Sequence, residues 1–217
     1  MNQLSIRREE ARDHRTVEEL HRRAFWNLSN PGCNEHFLAH CMREHADFVP
    51  QLDLVAELDG EIVGNVMYVQ SKLVAENGEK VDILTFGPIG VEPTHQREGI
   101  GKAMLERSFE LARELGFPAI VIFGNPDNYV ARGFVSCLKR NVCVEGGVFP
   151  SAMLVKELTL DFFDGRRYVF EESPAYATDD TQLDAFDSTF PPMEKRWQPS
   201  QEEFFIHCRS VMRDGGN

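Results

Sequence analysis

An apolar run ending at Val91 gives way to an amphipathic helix, and the joint between them reads Gln96-Arg97-Glu98-Gly99-Ile100-Gly101-Lys102-Ala103. Its two glycines leave no Cβ where a ligand would approach the backbone, and the first turn of any helix carries N–H groups without intrahelical partners. An anion placed there gains ~0.3–1 kcal/mol per charge from the helix dipole, and up to ~2 when partly buried. The amides of residues 97–102, with the cations Arg97 and Lys102 among them, are therefore a candidate cradle for a pyrophosphate. A dinucleotide fingerprint, Gly-x-Gly-x-x-Gly, would need a third glycine that this loop lacks.

The segment before the loop, Val81-Asp82-Ile83-Leu84-Thr85-Phe86-Gly87-Pro88-Ile89-Gly90-Val91, has strand composition but holds a proline and two glycines. Proline cannot donate to a ladder, so a central strand of this kind is self-consistent only if it leaves its neighbour near Pro88. Backbone groups freed by such a splay are available to an amide-bearing ligand. After the loop, Met104, Leu105, Phe109, Leu111, Ala112 and Leu115 recur at helical spacing over residues 102–115, and Gly116 supplies the stop. Ala119-Ile120-Val121-Ile122-Phe123 is a continuous apolar run, as expected of a strand covered on both faces. Gly124-Asn125-Pro126 ends it, and Tyr129 and Gly133-Phe134 follow.

This order of strand, Gln-x-x-Gly-x-Gly loop, helix, buried strand and Tyr-x-x-x-Gly-Phe resembles the GNAT superfamily of N-acetyltransferases over roughly residues 4–158. The firmest matches are Gln96, Gly99, Gly101, Tyr129, Gly133 and Phe134. Gly-Pro-Ile-Gly-Val before the loop and the short Gly-Asn-Pro-Asp-Asn-Tyr connection are most similar to the YhbS-like branch of predicted acetyltransferases. The resemblance implies an α/β (α+β) fold: a mixed, mostly antiparallel sheet with a central splayed strand pair, flanked by helices. It also implies acetyl-CoA as cofactor. Its pyrophosphate would lie on Gln96, Arg97, Glu98, Gly99, Ile100, Gly101 and Lys102, and its pantetheine along Ile89, Gly90 and Val91. Asn125 and Tyr129 would complete the cofactor contacts, although the connection holding them is shorter than the family's usual Asn-x-x-Ala-x-x-x-Tyr.

The rest of the chain reads as follows. Residues 4–7 form a first strand, and Asp13 caps a helix bearing Val17, Leu20, Ala24 and Phe25; a second helix covers residues 35–45. Strands at 52–58 and 62–69 meet at Asp59-Gly60, and Asn77-Gly78 turns into the splayed strand. Residues 134–144 and 152–158 supply late strands and close a domain at residues 1–158. The remainder, 159–217, is an extension with a strand at 167–170, a helix at 180–190, a break at Pro191-Pro192 and a last helix after Pro199. Ser200-x-x-Glu203 predicts a capping box for that helix, with Phe204, Phe205, Cys208 and Val211 on its apolar side. The extension is expected to pack on the core or on a second subunit, which makes a homodimer one outcome.

A chain of 217 residues buries ~70% of its unfolded surface, enough for one full core. Acidic residues outnumber basic ones 35 to 23, for a formal charge of −12, which disfavours nucleic acid or an anionic membrane and suits a cationic acceptor. Cys33, Cys41, Cys137, Cys143 and Cys208 are odd in number and have no Cys-x-x-Cys spacing. Reduced thiols in a cytoplasm are expected, with neither signal peptide nor membrane span.

The chemistry implied is transfer of an acetyl group from acetyl-CoA to a primary amine, of a small molecule or a peptide, by direct attack within a ternary complex. With an amine pKa near ~10, about one molecule in ~10³ is nucleophilic at neutral pH, so a base or a water path is required. By resemblance, Tyr129 is the acid for the departing thiolate. The resemblance also implies that the segment between the first two helices lines the acceptor side, which makes Glu35 and His36 candidates there, with Glu92 just past the splayed strand. His36 and His40 share a helix face but lack a third ligand, so no metal is expected. Acetylation of Cys33 or Cys137 requires a lowered thiol pKa and a partner base, and the sequence commits to no such pair. A non-catalytic acyl-CoA binding or sensing domain is the alternative reading.

Overall fold

A computed structural model describes residues 4–213 of the chain. Strand β1 (Leu4–Arg8) runs antiparallel to β2 (Leu54–Leu58), and β2 to β3 (Glu61–Ala75). Asp59 and Gly60 join the last two with φ of 51° and 89°, the paired left-handed conformations that a tight hairpin of this hand requires. β3 pairs along most of its length with β4 (Lys80–Val91), and β5 (Ala119–Phe123) is parallel to β4. β9 (Met153–Glu157) is antiparallel to β5 and pairs on its other edge with β6 (Val135–Ser136). β10 (Tyr168–Glu171) lies beside the far end of β3 and also meets β7 (Val142–Cys143), extending the same sheet. The mixed, mostly antiparallel sheet flanked by helices is the fold class expected from the sequence.

Alternation along β3 decides which helix lies on which face. Val66 and Tyr68 enter the cluster built on α3 (Ile100–Glu114), with Ile100, Met104, Leu105 and Phe109. Met67 and Val69 point the other way, against Ala39 and Met42 of α2 (Glu35–Met42). On that second face α1 (His14–Phe25) places Leu20 and His21 against Gly90. The Tyr68 phenol, fully buried, is satisfied by the Ser108 hydroxyl at 2.6 Å, which ties the sheet to α3.

Several local expectations are corrected. Residues 134–144 are not one strand: β6 and β7 are separated by a 3-10 turn at Cys137–Arg140, and Asn141 is left-handed at φ 52°. Cys137 is buried within that turn and donates to the Pro150 carbonyl, so burial there follows a turn and not strand alternation. Asp13 stands at the N-cap of α1 as expected but makes no side-chain cap bond; its carboxylate accepts from Arg7 at 2.6 Å and from the Glu10 amide at 2.9 Å, closing a turn before the helix. α2 ends at Met42, and α5 (Asp180–Asp187) ends before Phe190. α6 (Pro199–Arg209) starts with Pro199 as its first residue, which moves the cap back to Gln198; Ser200 instead donates to the Leu28 carbonyl, and the capping box does not form. Val211 leaves that helix for β11 (Val211–Met212), which pairs with β8 (Phe149–Pro150). Phe204 and Phe205 stay half exposed while α6 buries Gln201.

Residues 187–201 lie against α1 and the loop that follows it. Arg22, almost wholly buried, holds Asp187 at 2.7 Å and the Pro191 carbonyl at 2.9 Å. Asn27 is bound on both sides of its amide, donating to Glu194 O and accepting from the amides of Gly32 and Arg196. Gln201 donates to Asn27 O and Trp26 to Glu194 O, both near 3 Å. Breaking the buried ones, Gly32 to Asn27 and Gln201 to Asn27, leaves polar groups unsatisfied, at ~1–3 kcal/mol each.

Candidate active site

Leu84 and Ile120 form the one register pair between β4 and β5 among the described residues. Past that pair the β5-facing edge of β4 has no strand partner, while its other edge stays on β3 through Val66–Ile89, Asn65–Gly90 and Gly64–Val91. Pro88, which has no N–H, lies where the β3–β4 register shifts, between Val66 and Tyr68. The gap that results opens toward the start of α3.

At that start, Gly99 is the N-cap, with φ 89° and no side-chain cap, and Arg97 is also left-handed at φ 65°. Gln96 is folded back so that its side-chain amide donates to the Val91 carbonyl at 3.2 Å. Among the described residues, the N–H groups of residues 97–102 are absent from the turn, loop and cap hydrogen bonds. A Cβ on Gly99 would meet nothing within 4 Å, so it borders open space, and one on Gly101 would make an ordinary contact with Val91 Cγ2 at 3.6 Å. Glu98 sits 3.2 Å from His95, and Lys102 3.7 Å from Glu106. Unengaged donors, a helix N-terminus and absent side chains together are able to hold an anion.

Tyr129 ends the short helix α4 (Pro126–Tyr129), which Asn125 caps by accepting from the Asp127 amide at 3.0 Å. Its ring lies 5.6 Å from that of Phe86 on β4 and 5.8 Å from Phe134, and it leaves no room for a Cβ at Gly124. Burial pushes its phenol up to about 12, so the group is protonated at neutral pH and able to donate.

The three acceptor-side candidates are treated very differently by the fold. Glu35 begins α2 on the helix face that also carries Ala39 and Met42, which pack on Met67 and Val69. Its carboxylate accepts from the Asn34 amide at 3.1 Å and has no ion pair among the described residues; burial pushes its pKa up. Glu92 is held by Arg23 through contacts of 2.9–3.1 Å. His36 is fully buried between the rings of Phe186 and Phe190, with Nδ1 3.4 Å from the Cys33 thiol. Its Nε2 lies 3.1 Å from Asp187 Oδ1 but is not aligned for a hydrogen bond, and burial lowers its pKa to about 4. Cys33, His36 and Asp187 thus line up like a nucleophilic triad, yet burial drives the thiol pKa up, the reverse of what a nucleophile needs. Cys137 is likewise raised, to about 11.

His21 was not singled out from the sequence, although it falls four residues after Val17 on the buried stripe of α1. Asn65 donates to Asp53 at 2.9 Å and to the Leu54 carbonyl at 3.1 Å, so its oxygen must face His21 Nε2, 2.8 Å away. The imidazole therefore carries its proton on Nε2. Nδ1 is left without a partner, 2.8 Å from where a Gly90 Cβ would stand, so β4 needs a glycine there. Burial, and Glu9 beside it, hold the Asp53 pKa well above the carboxylate range. A raised folded pKa means that the contribution of Asp53 to stability is full below about pH 4 and is lost as pH rises through the folded value. Asp53→Asn keeps the shape and the acceptor for Asn65. Its stability relative to wild type, measured by urea unfolding between pH 5 and 9, is expected to rise with pH by up to ~1.4 kcal/mol per unit.

A parted sheet beside a helix N-terminus whose amides are unengaged is a geometry able to hold a phosphate-bearing ligand. A profile described as Acetyltransferase (GNAT) family matches residues 22–137, more than half of the 217, and the chain belongs to that family. It is 27% identical over 129 residues to the Uncharacterized N-acetyltransferase YhbS of Escherichia coli (strain K12), covering 59% of this chain and 74% of YhbS. The Uncharacterized N-acetyltransferase YjhQ of the same organism is 25% identical over 88 residues, 41% of this chain; the match spans about half, 48%, of YjhQ. In structure the chain is similar to Escherichia coli YhbS in complex with CoA, with a TM-score of 0.70 at 24% identity over 82% of this chain and 94% of that one. A GNAT family acetyltransferase from Brucella melitensis in complex with acetyl-CoA gives 0.64 at 20% identity, over 81% and 99%. At these identities the structural likeness speaks for the fold.

Proposed function

We infer that this protein is an N-acetyltransferase that binds acetyl-CoA in the gap between β4 and β5 and transfers the acetyl group directly to a primary amine. The observation that carries this reading is the single Leu84–Ile120 pair beside unengaged amides at the mouth of α3. The residues fit the cofactor: glycines at 99 and 101 leave room, and helix-start donors match a diphosphate. Similar structures bear CoA or acetyl-CoA in the same fold. When bound, the cofactor supplies an activated thioester.

Residues 96–102 would hold the diphosphate, and the β5-facing edge of Ile89, Gly90 and Val91 the amide-bearing arm. Asn125 fixes the turn that carries Tyr129 and would lie beside the same arm. A main-chain N–H near Val91 would stabilise negative charge on the carbonyl oxygen during attack. Glu35, a carboxylate that burial makes more basic and no cation neutralises, would take the proton of the incoming amine; Tyr129 would give one to the departing sulfur. Glu92 serves this site through Arg23, and His36 through its packing with Asp187. The acceptor is a small-molecule or peptide amine, its cationic form favoured by the charge of −12. The catalytic unit is residues 1–158, with 159–217 as its extension.

Calorimetric titration with acetyl-CoA, followed by a thiol-release screen against amines and peptides, tests the reading; absence of binding would overturn it. Tyr129→Phe is expected to lower turnover about tenfold or more with acetyl-CoA affinity nearly unchanged. Full turnover in that variant would remove the acid role from Tyr129.

A further inference from the structure

The 3-10 turn Pro174–Tyr176 lies beyond the family match at residues 22–137, yet it crosses the face of the sheet that carries α2. Ser173 fixes its entry: the amide donates to Ser71 Oγ at 3.1 Å, and the hydroxyl donates to Asp47 at 2.7 Å while accepting from the Ala175 amide. Ala175 is buried against Ala39, Met42, Met67 and Val69, and the Tyr176 ring packs on the same cluster. From there the Tyr176 phenol donates to the carbonyl of Gly87 at 3.3 Å. Its oxygen would stand 3.6 Å from a Cβ at Gly87, so the approach is close on that side.

Gly87 and Pro88 stand outside the register of β4 with either neighbour. They lie between Leu84, the last residue paired with β5, and Ile89–Val91, the stretch assigned to the thioester arm. A bend that no ladder defines is held in direction only by what grips its backbone, and this phenol grips it from the C-terminal segment. That segment is in turn anchored to β3 through Ser71 and to the loop before β2 through Asp47.

We propose that Tyr176 is a positioning residue of the transfer site: its hydrogen bond to Gly87 O sets the bend of β4 and so aims the main chain of residues 89–91. The proposal rests on the reading of the β4–β5 gap as the acetyl-transfer site. Burial keeps the phenol protonated and so a donor throughout the working pH range.

Tyr176→Phe removes one oxygen and keeps the packing. On an amine that wild type acetylates, its kcat is expected to fall about five- to tenfold, the loss of one hydrogen bond. The acetyl-CoA dissociation constant, set mainly by the cradle at residues 96–102, should stay within about threefold. Hydrogen exchange of a peptide spanning residues 86–91 should speed up by about fivefold, with α3 unchanged. A lowered melting temperature with kcat and exchange at 86–91 both unaltered would reduce Tyr176 to a packing residue and overturn the proposal. Exchange that quickens in a chain that binds no acetyl-CoA would instead support the bend and overturn the transferase reading. Exchange that stays unaltered in such a chain would overturn both.

Discussion

Gly101→Asp is expected to remove acetyl-CoA binding while leaving the protein folded at wild-type stability or slightly above. Gly101 is the second residue of α3, and a Cβ there makes an ordinary 3.6 Å contact with Val91, so the added side chain has room. A carboxylate in the first turn is favourable to the helix itself by ~0.3–1 kcal/mol. Against a diphosphate the sign reverses: two like charges ~4 Å apart repel by ~4 kcal/mol at an effective dielectric near 20. Allowing for screening, a loss of affinity of ~10²-fold or more is expected by calorimetry, with an unchanged or slightly raised melting temperature. Gly101→Ala, which adds the Cβ without the charge, should retain most of the affinity. Near-normal binding in a folded Gly101→Asp protein would place the cofactor elsewhere.

Glu35→Gln carries the second large effect. As the proposed base, Glu35 works only when ionised, so turnover should rise with pH through its raised pKa and then level off. Glutamine has no such step. kcat is expected to drop ~10²–10⁴-fold and the acidic limb of the pH–rate profile to vanish. Stability moves the other way. Because burial raises the folded pKa, ionisation of Glu35 costs stability as pH climbs past the ordinary carboxylate value, so the glutamine variant should be the more stable protein at neutral pH. A variant that kept the acidic limb would assign the proton to another group.

The distribution of these groups shows why parts of the site were legible in the chain. Gly99 is readable because a left-handed cap demands a residue without Cβ, and that demand is local. Pro88 announces the departure of β4 from its neighbour for an equally local reason: it has no N–H to give. Glu35, His36 and Glu92 look alike in sequence as polar residues near the right segments. Only the partners brought in from elsewhere separate them: Arg23 occupies Glu92, Asp187 and two phenyl rings enclose His36, and Glu35 is left without a cation. His21 and Tyr176 were invisible for the same reason, since each matters through a glycine of β4 that lies far from it along the chain.

By itself, then, the sequence determined the strand–loop–helix unit, the hairpins at Asp59-Gly60 and Asn77-Gly78, and the glycine-bearing opening of α3. Backbone conformation and main-chain donors follow from residues within one turn of each other. The tertiary structure decided which carboxylate stays unpaired, which histidine is sealed, and that the C-terminal chain reaches back to β4. Desolvation and charge pairing depend on groups that only the folded sheet and its two covering faces bring together.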